Sequence, residues 1–139
     1  MDIKSLIPQR EPFLFINEVL SIDKNVIQVS MQFGAELDFF KGHFPGDPIV
    51  PGVLLSEHCF QSGAALIASQ NSKDVAGKKA VLTRIQQAKF KNIVRPNEII
   101  STTTQIKEQV GDVAFFKSIV TNSDAKKVLI IEFACALIK

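Results

Sequence analysis

The sequence is poor in the residues that build covalent and metal frameworks. It has two cysteines, two histidines, no tryptophan and no tyrosine among 139 residues. Cys59 and Cys135 lie singly in apolar segments and lack the paired spacing of metal ligands, so we expect buried free thiols rather than a zinc site or a disulfide scaffold. The net charge of +2 and the lack of interleaved aromatic and basic residues argue against a nucleic-acid partner.

Long apolar runs are also missing. Glu57, His58 and Gln61 interrupt one of the longest apolar stretches and Glu132 interrupts the other, so neither approaches the ~20 residues that a membrane span needs. Residues 1–8 do not combine a basic segment with a following apolar run, as a secretion signal would. We therefore expect no membrane partner and a cytoplasmic location.

The chain has enough apolar residues for one core. Its hydrophobic content is 46% over 139 residues, which is too short a length for two comfortable domains. It contains no internal repeat and no polar low-complexity tract. These features predict a single domain over residues 1–139.

Residues 12–33 carry two runs rich in valine, isoleucine and phenylalanine, joined by the turn residues Asp-Lys-Asn. This pattern predicts a β-hairpin. In the second run, alternation places Ile27, Val29, Met31 and Phe33 on one face, which we expect to be buried.

Residues 53–70 lack proline and are apolar around most of a helical circumference, so they predict a helix that is buried along its length. A polar connection at 71–79 follows. Because strands joined by short turns are antiparallel, and a lone helix must bury itself against them, the pattern predicts an α+β fold with an antiparallel sheet wrapped around one long central helix. We expect a second subunit to cover exposed sheet edges. The remaining strand-like runs are at residues 80–90, 98–106, 113–121 and 127–138.

The segment 42–52 predicts a rigid loop that carries a histidine. Three prolines fix φ in this loop, and three glycines permit backbone geometries that other residues resist. His43 on such a loop is a candidate general base, because imidazole groups in general exchange protons near neutral pH. The alternative is a histidine that only hydrogen-bonds its own turn.

Glu57 falls in the first turns of the predicted helix. The helix dipole lowers a carboxyl pKa by less than about one unit, whereas full burial raises it by ~3–5 units. The effect of burial on the pKa should exceed that of the helix dipole, so we expect a carboxylic acid that can donate a proton near neutral pH. The alternative is a glutamate that reaches solvent or an interface.

Gly52 stands at the expected start of the helix, where unpaired backbone amides can bind an oxyanion. A base, an acid and an oxyanion donor together suit proton abstraction next to a carbonyl with loss of a β-substituent. His58 lies about 100° around the helix from Glu57, so we interpret it as structural or as a pocket-lining residue.

Lys89, Lys91 and Arg95 cluster within seven positions. The cluster predicts either a small basic patch for an acidic partner or simply a solvated strand face.

The segment GHFPGDPIVPGVLLSE, residues 42–57, resembles the signature of the (3R)-hydroxyacyl-acyl-carrier-protein dehydratases of fatty-acid synthesis, the FabZ type. Glu57 follows His43 by fourteen positions, as in that family, and Gln61 matches a family glutamine four positions further on. The segments IPQREPFLFINEVLSID and IQQAKFKNIVRPNE resemble two other segments of the same family.

This resemblance implies a hotdog fold that forms a homodimer, or a trimer of dimers, with the active site at the dimer interface. It implies that His43 moves the C2 proton of the acyl thioester, that Glu57 protonates the departing C3 hydroxyl, and that the Gly52 amide polarises the thioester carbonyl. The substrate would be carried by acyl carrier protein, and no cofactor or metal is implied. Further candidates are Val53, Gln61, Phe44, Phe60 and Phe90 for substrate binding, and Lys89, Lys91 and Arg95 for docking of the carrier.

The sequence departs from the family pattern at the segment His58-Cys59-Phe60, at Arg84 and at the turn Pro96-Asn97-Glu98. These departures leave the acyl chain length and the pathway open, because the three chemical positions are intact. Two other functions stay open at this point. One is a thioesterase on the same scaffold, since fold does not fix function, and the other is a non-catalytic subunit that binds acyl thioesters or their carrier.

Overall fold

The computed structural model describes residues 1–70 and 78–139. Most of the predicted polar connection at 71–79 lies outside the described residues. Two short 3₁₀ helices, at Ile3–Ser5 and Asp38–Lys41, flank the first hairpin. The regular elements are β1 (Glu18–Ile22), β2 (Val26–Gln32), α1 (Gly52–Ser69), β3 (Lys79–Phe90), β4 (Ile99–Val110), β5 (Val113–Thr121) and β6 (Lys127–Ile138).

The strands form one six-stranded antiparallel sheet in the order β1-β2-β4-β5-β6-β3. The single long helix α1 packs on its inner face, against β2, β3, β4 and β6. The predicted α+β class, with an antiparallel sheet around one central helix, is confirmed. Among the described residues, no helix is both long and apolar enough to cross a membrane.

Burial with a period of two residues is seen on β2, as the sequence predicts, and on β5. On β2 and just after it, Ile27, Val29, Met31 and Phe33 are buried, while Gln28 is exposed. On β5 every second residue is buried under the helix. This period-two pattern fixes the register, because a slip of one residue would turn the apolar side chains to solvent.

The first strand of the hairpin begins later than the sequence predicts. Residues 13–17 precede β1, which starts at Glu18. The amide and carbonyl of Phe15 hydrogen-bond side chains of α1, through Gln61 and His58, rather than a neighbouring strand. At Phe15, side chains of the helix therefore take the place of the backbone hydrogen bonds of a neighbouring strand.

A fully buried polar cluster links α1 to the sheet. The Ser62 hydroxyl lies 2.6 Å from Thr104 Oγ1, which lies 2.6 Å from Ser118 Oγ. Ser62 also donates to the carbonyl of Cys59. Because each of these hydroxyl groups has a hydrogen-bond partner, the cluster fixes the position of α1 on the sheet and leaves none of its hydroxyl groups unsatisfied in the core.

Strand β3 forms one edge of the sheet and is exposed along most of its length. Its pairing with β6 is irregular between Leu82 and Arg84 and between Ile85 and Gln87. Arg84, one of the departures from the family pattern, is thus an exposed residue beside a bulge.

Candidate active site

Glu57 lines a cavity of about 240 Å³ between α1, the start of β3 and β6. The segment before β1 closes one side. The lining is mainly apolar and includes Phe13, Phe60, Val81, Leu82 and Cys135, with Gln9, Gln61, Ala64 and Ala80.

The carboxyl of Glu57 is half-buried, and burial raises its pKa above the ordinary value. A hydrogen bond from Gln61 Nε2 to Glu57 Oε2, at 3.1 Å, acts in the opposite direction but does not cancel the effect of burial. The direction of the predicted shift therefore agrees with the structure. A carboxyl with this shift holds its proton to higher pH than a solvated glutamate does.

Gln61 has only one possible amide orientation here. Its Oε1 accepts from the Phe15 amide at 2.9 Å, so Nε2 must be the group that donates to the Phe13 carbonyl and to Glu57. Gln61 therefore always presents a donor to Glu57 Oε2. This contact holds one carboxyl oxygen and leaves Oε1 available to the cavity.

His58 is fully buried and does not line the Glu57 cavity. Its ring nitrogens lie 2.6 Å from the Phe15 carbonyl oxygen, through Nδ1, and 2.7 Å from Thr102 Oγ1, through Nε2. Because a carbonyl can only accept, Nδ1 carries the proton and Nε2 accepts from the threonine hydroxyl. His58 is structural, one of the two alternatives that the sequence left open.

His43 lies on the loop between the second 3₁₀ helix and α1. Its Nδ1 donates to the carbonyl of Ile49 at 2.9 Å, and its ring packs edge-on against Phe44, with centroids 4.8 Å apart. The loop therefore orients the imidazole and leaves Nε2 with a free lone pair. Phe44 and Gly46 both adopt positive φ, 55° and 89°, so the chain turns sharply immediately after His43.

Within one chain His43 is not among the residues that line the Glu57 cavity. The structure instead groups Glu57 with two other predicted site residues, Phe60 and Gln61. Phe44 and Val53 are strongly exposed, at 60% and 76%.

Gly52 begins α1, as predicted, and lies beneath the ring of Phe90. A Cβ placed on Gly52 would be 3.0 Å from Phe90 Cε1. The Pro51 carbonyl accepts the amides of Leu54 and Leu55, so the two preceding amides have no acceptor within the helix. The Gly52 amide thus has no acceptor within the helix, and the Phe90 ring lies against this glycine.

The structure divides the predicted basic cluster. Lys89 and Lys91 line a surface depression on the outer face of the sheet, together with Lys117 and Glu132. Arg95 is instead ion-paired with Asp47 of the histidine loop. Arg95 therefore connects the loop to the segment after β3 rather than adding to the lysines.

Sequence reasoning did not name Phe13, Cys135 and Lys117 as members of these sites. Burial raises the pKa of the Cys135 thiol to about 12, and the nearby Glu57 charge adds to the shift. Phe13 is held at the cavity by Gln61, Cys135 is placed there by β6, and Lys117 lies opposite Glu132 in the register of β5 and β6. Gln9 also lines the cavity, and no group of the described residues hydrogen-bonds its buried Oε1, so a bound molecule finds a free acceptor there.

Comparison with known proteins gives a consistent result. Residues 19–128 match the family model described as ApeI-like, ApeI dehydratase. A 3-hydroxyacyl-[acyl-carrier-protein] dehydratase FabZ of Chlamydia trachomatis serovar L2 is 39% identical over 102 residues, which cover 72% of this chain and 67% of the relative. The FabZ of Lactiplantibacillus plantarum is 39% identical over 109 residues, covering 78% and 73% of the two chains.

Solved structures show the same fold at low identity. The dehydratase heterocomplex ApeI:P from Xenorhabdus doucetiae has a TM-score of 0.83 at 10% identity, over 100% of this chain and 92% of the other. The E. coli PaaI protein has a TM-score of 0.68 at 18% identity, over 86% and 81%. Likeness at this level of identity concerns the fold and not the reaction.

The sequence relatives and the fold together confirm the resemblance to FabZ-type dehydratases and the hotdog fold. With the family model spanning most of its length, the chain belongs to the ApeI-like family of hotdog dehydratases.

Proposed function

We propose that the protein dehydrates (3R)-hydroxyacyl thioesters, carried on acyl carrier protein, to trans-2-enoyl thioesters in fatty-acid or related acyl-chain synthesis. The observation that carries this proposal is the half-buried Glu57, whose pKa is raised in an apolar cavity, in a chain related to dehydratases. The departing hydroxyl group needs a proton donor, and burial shifts the pKa of Glu57 in the direction that favours its protonated form.

In the proposed reaction, His43 Nε2 removes a proton from C2 of the thioester. The electron pair of that C–H bond forms the C2–C3 double bond, and the C3–O bond breaks as Glu57 gives its proton to the hydroxyl, which leaves as water. The free amide of Gly52 donates to the thioester carbonyl oxygen, where charge develops. Transfer of the proton from His43 back to Glu57 through solvent restores the starting state.

The site requires a second copy of the chain in this proposal. His43 does not reach the Glu57 cavity within one chain, and that cavity opens near the exposed edge strand β3. Exposed apolar side chains lie on this edge strand, at Ile85 and Phe90, and next to His43 and Gly52 in the chain, at Phe44 and Val53. A homodimer that joins these edges would bury them and bring the His43 of one subunit to the Glu57 of the other. A trimer of dimers is the larger assembly that the family resemblance implies.

Docking of the acyl carrier protein is proposed at Lys89 and Lys91. In this depression Lys117 lies opposite Glu132, whose negative charge offsets it, so the net positive charge comes from Lys89 and Lys91. Arg95 is ion-paired with Asp47. The cytoplasmic location is part of the same proposal and is consistent with two free cysteines.

The test is turnover of four-carbon and longer 2-enoyl and 3-hydroxyacyl thioesters, on carrier protein and on coenzyme A, followed by the ultraviolet absorbance of the conjugated enoyl group. We expect hydration and dehydration by the wild type. His43→Ala and Glu57→Gln should each lose about 10²–10⁴-fold in turnover while keeping the wild-type circular dichroism spectrum.

Retained turnover in either variant would contradict the assigned roles. Release of free thiol from acyl thioesters that lack a 3-hydroxyl group would identify a thioesterase instead. Binding of thioesters without any change in the ratio of 3-hydroxy to 2-enoyl forms would identify a non-catalytic subunit.

A further inference from the structure

A second cavity lies further along α1 from Glu57. Its volume is about 50 Å³, and its lining is mostly apolar, from Leu6, Ile7, Ile67, Ala68 and Leu137 among others. Two lysines also line it: Lys78 is paired with Asp112, at 3.1 Å between Nζ and Oδ1, and Lys79 is exposed to solvent. The rest of the lining is apolar, which suits a hydrocarbon chain.

Two residues line both cavities, Ala64 on α1 and Ala80 on β3. They therefore lie where the Glu57 cavity and the second cavity meet. Both side chains are single methyl groups and both are half-buried. A larger side chain at either position would narrow the space between the two cavities.

The position of Ala64 on α1 sets how far from Glu57 an acyl chain would reach the two alanines. Ala64 follows Glu57 by seven residues, which is about 10 Å along an α-helix. Since single carbon–carbon bonds are about 1.5 Å long and an extended chain zigzags, about eight carbons beyond the reacting C3 span this distance. An acyl chain longer than that must pass between Ala64 and Ala80.

We propose that Ala64 and Ala80 determine the acyl chain length that the enzyme accepts, by leaving open a passage from the Glu57 cavity into the second cavity. The inference rests on the proposed function and adds the substrate class to it. Acyl chains of twelve or more carbons bind with their distal end against Leu6, Ile7, Ile67 and Leu137. Shorter chains end within the Glu57 cavity and do not contact the second one.

The experiment compares 3-hydroxyacyl thioesters of four, eight and fourteen carbons on the same carrier, in the wild type and in Ala64→Leu. Leucine is a good helix former, so the helix should persist. Because Ala64 also lines the Glu57 cavity, the readout is the ratio of kcat/KM for the fourteen-carbon substrate to kcat/KM for the four-carbon substrate. We expect this ratio to fall at least tenfold, because excluding even two methylene groups from an apolar site costs roughly that much.

Ala64→Ser is the matched control, since serine is nearly the size of alanine, and it should keep the wild-type ratio of fourteen-carbon to four-carbon kcat/KM. Ala80→Leu narrows the same passage from the β3 side. It replaces Ala64→Leu in the test if Ala64→Leu does not fold. An unchanged ratio of fourteen-carbon to four-carbon turnover in both leucine variants would overturn the proposal.

Calorimetric binding of saturated four-carbon and fourteen-carbon thioesters gives a readout that does not depend on turnover. If the wild type turns over no substrate, the proposed function fails, and the binding measurement still decides on the passage. Loss of fourteen-carbon binding in Ala64→Leu, with four-carbon binding retained, supports it. Equal binding of the long thioester by wild type and Ala64→Leu contradicts it.

Discussion

His58 and Gln61 lie about one turn apart on α1 and hold the same short peptide segment. Gln61 binds the Phe13 carbonyl and the Phe15 amide, and His58 binds the Phe15 carbonyl. Phe13 is part of the wall of the Glu57 cavity. Two helix side chains that take no part in the proposed proton transfers thus fix the wall beside the proposed acid.

Burial of His58 makes the fold sensitive to acid. Burial lowers its pKa to about 4, although the Phe15 carbonyl acts in the opposite direction. The unfolded chain, with an ordinary histidine pKa of ~6.5, binds more protons than the folded chain between these two values. The free energy of unfolding therefore decreases as the pH falls through this window.

We predict that His58 alone lowers the free energy of unfolding by about 2 kcal/mol between pH 7 and pH 5. In His58→Gln, whose amide can still donate to the Phe15 carbonyl, this part of the pH dependence should disappear. Urea unfolding at several pH values measures it. His43→Gln, which removes a histidine that is not fully buried, is the control, and equal effects of the two substitutions would contradict the prediction.

At the scale of elements, two glycines set how closely α1 approaches its neighbours. A Cβ added at Gly63 would lie 3.2 Å from two ring carbons of Phe133 and 3.4 Å from Phe116. Those rings are stacked and fully buried. At Gly52 the added atom meets only Phe90, whose ring is about half exposed and can turn away.

The same substitution should therefore have different effects at the two positions. Gly63→Ala gains up to ~1 kcal/mol in helix propensity but overpacks a rigid core at a cost of ~1–3 kcal/mol, so we expect a net loss of about 1 kcal/mol. Gly52→Ala should change stability by less than about 0.5 kcal/mol. Thermal and urea unfolding measure both. A Gly63→Ala protein at least as stable as the wild type would show that Phe133 can move.

At the scale of the whole molecule, the exposed β3 edge and the separation of His43 from the Glu57 cavity have one common explanation. A dimer would cover the edge and complete the site with a histidine from the partner subunit. The outer face of the sheet, where Lys89, Lys91 and Lys117 gather, would remain open to an acidic carrier.

Mixed dimers test this arrangement directly. Coexpression of His43→Ala and Glu57→Gln chains should restore activity, because a mixed dimer contains one site with both native residues. With random pairing, half of the dimers are mixed and the activity should be about a quarter of the wild type. Each variant expressed alone is the control. Coexpressed chains no more active than the variants alone would place both residues of a site in one chain.

Features that depend on residues close together in the chain followed from the sequence alone. Strand-like runs bounded by turn residues predicted β5 and β6 with the bounds that the structure has, and the apolar helix predicted both α1 and the raised pKa of Glu57. The proline-rich loop and the helix start likewise follow from residues close together in the chain. Local propensity and burial pattern decide such features.

Only the tertiary structure decided what meets across the fold. Residues 13–17 are not part of β1, and the Phe15 amide donates to the side chain of Gln61, which is 46 positions away in the chain. Contacts between segments that are distant in the chain place Lys117 beside Lys89 and Lys91 and pair Arg95 with Asp47. The order of the strands and the position of the helix on the sheet depend on burying the apolar surface of all elements together. A short stretch of sequence does not contain this information.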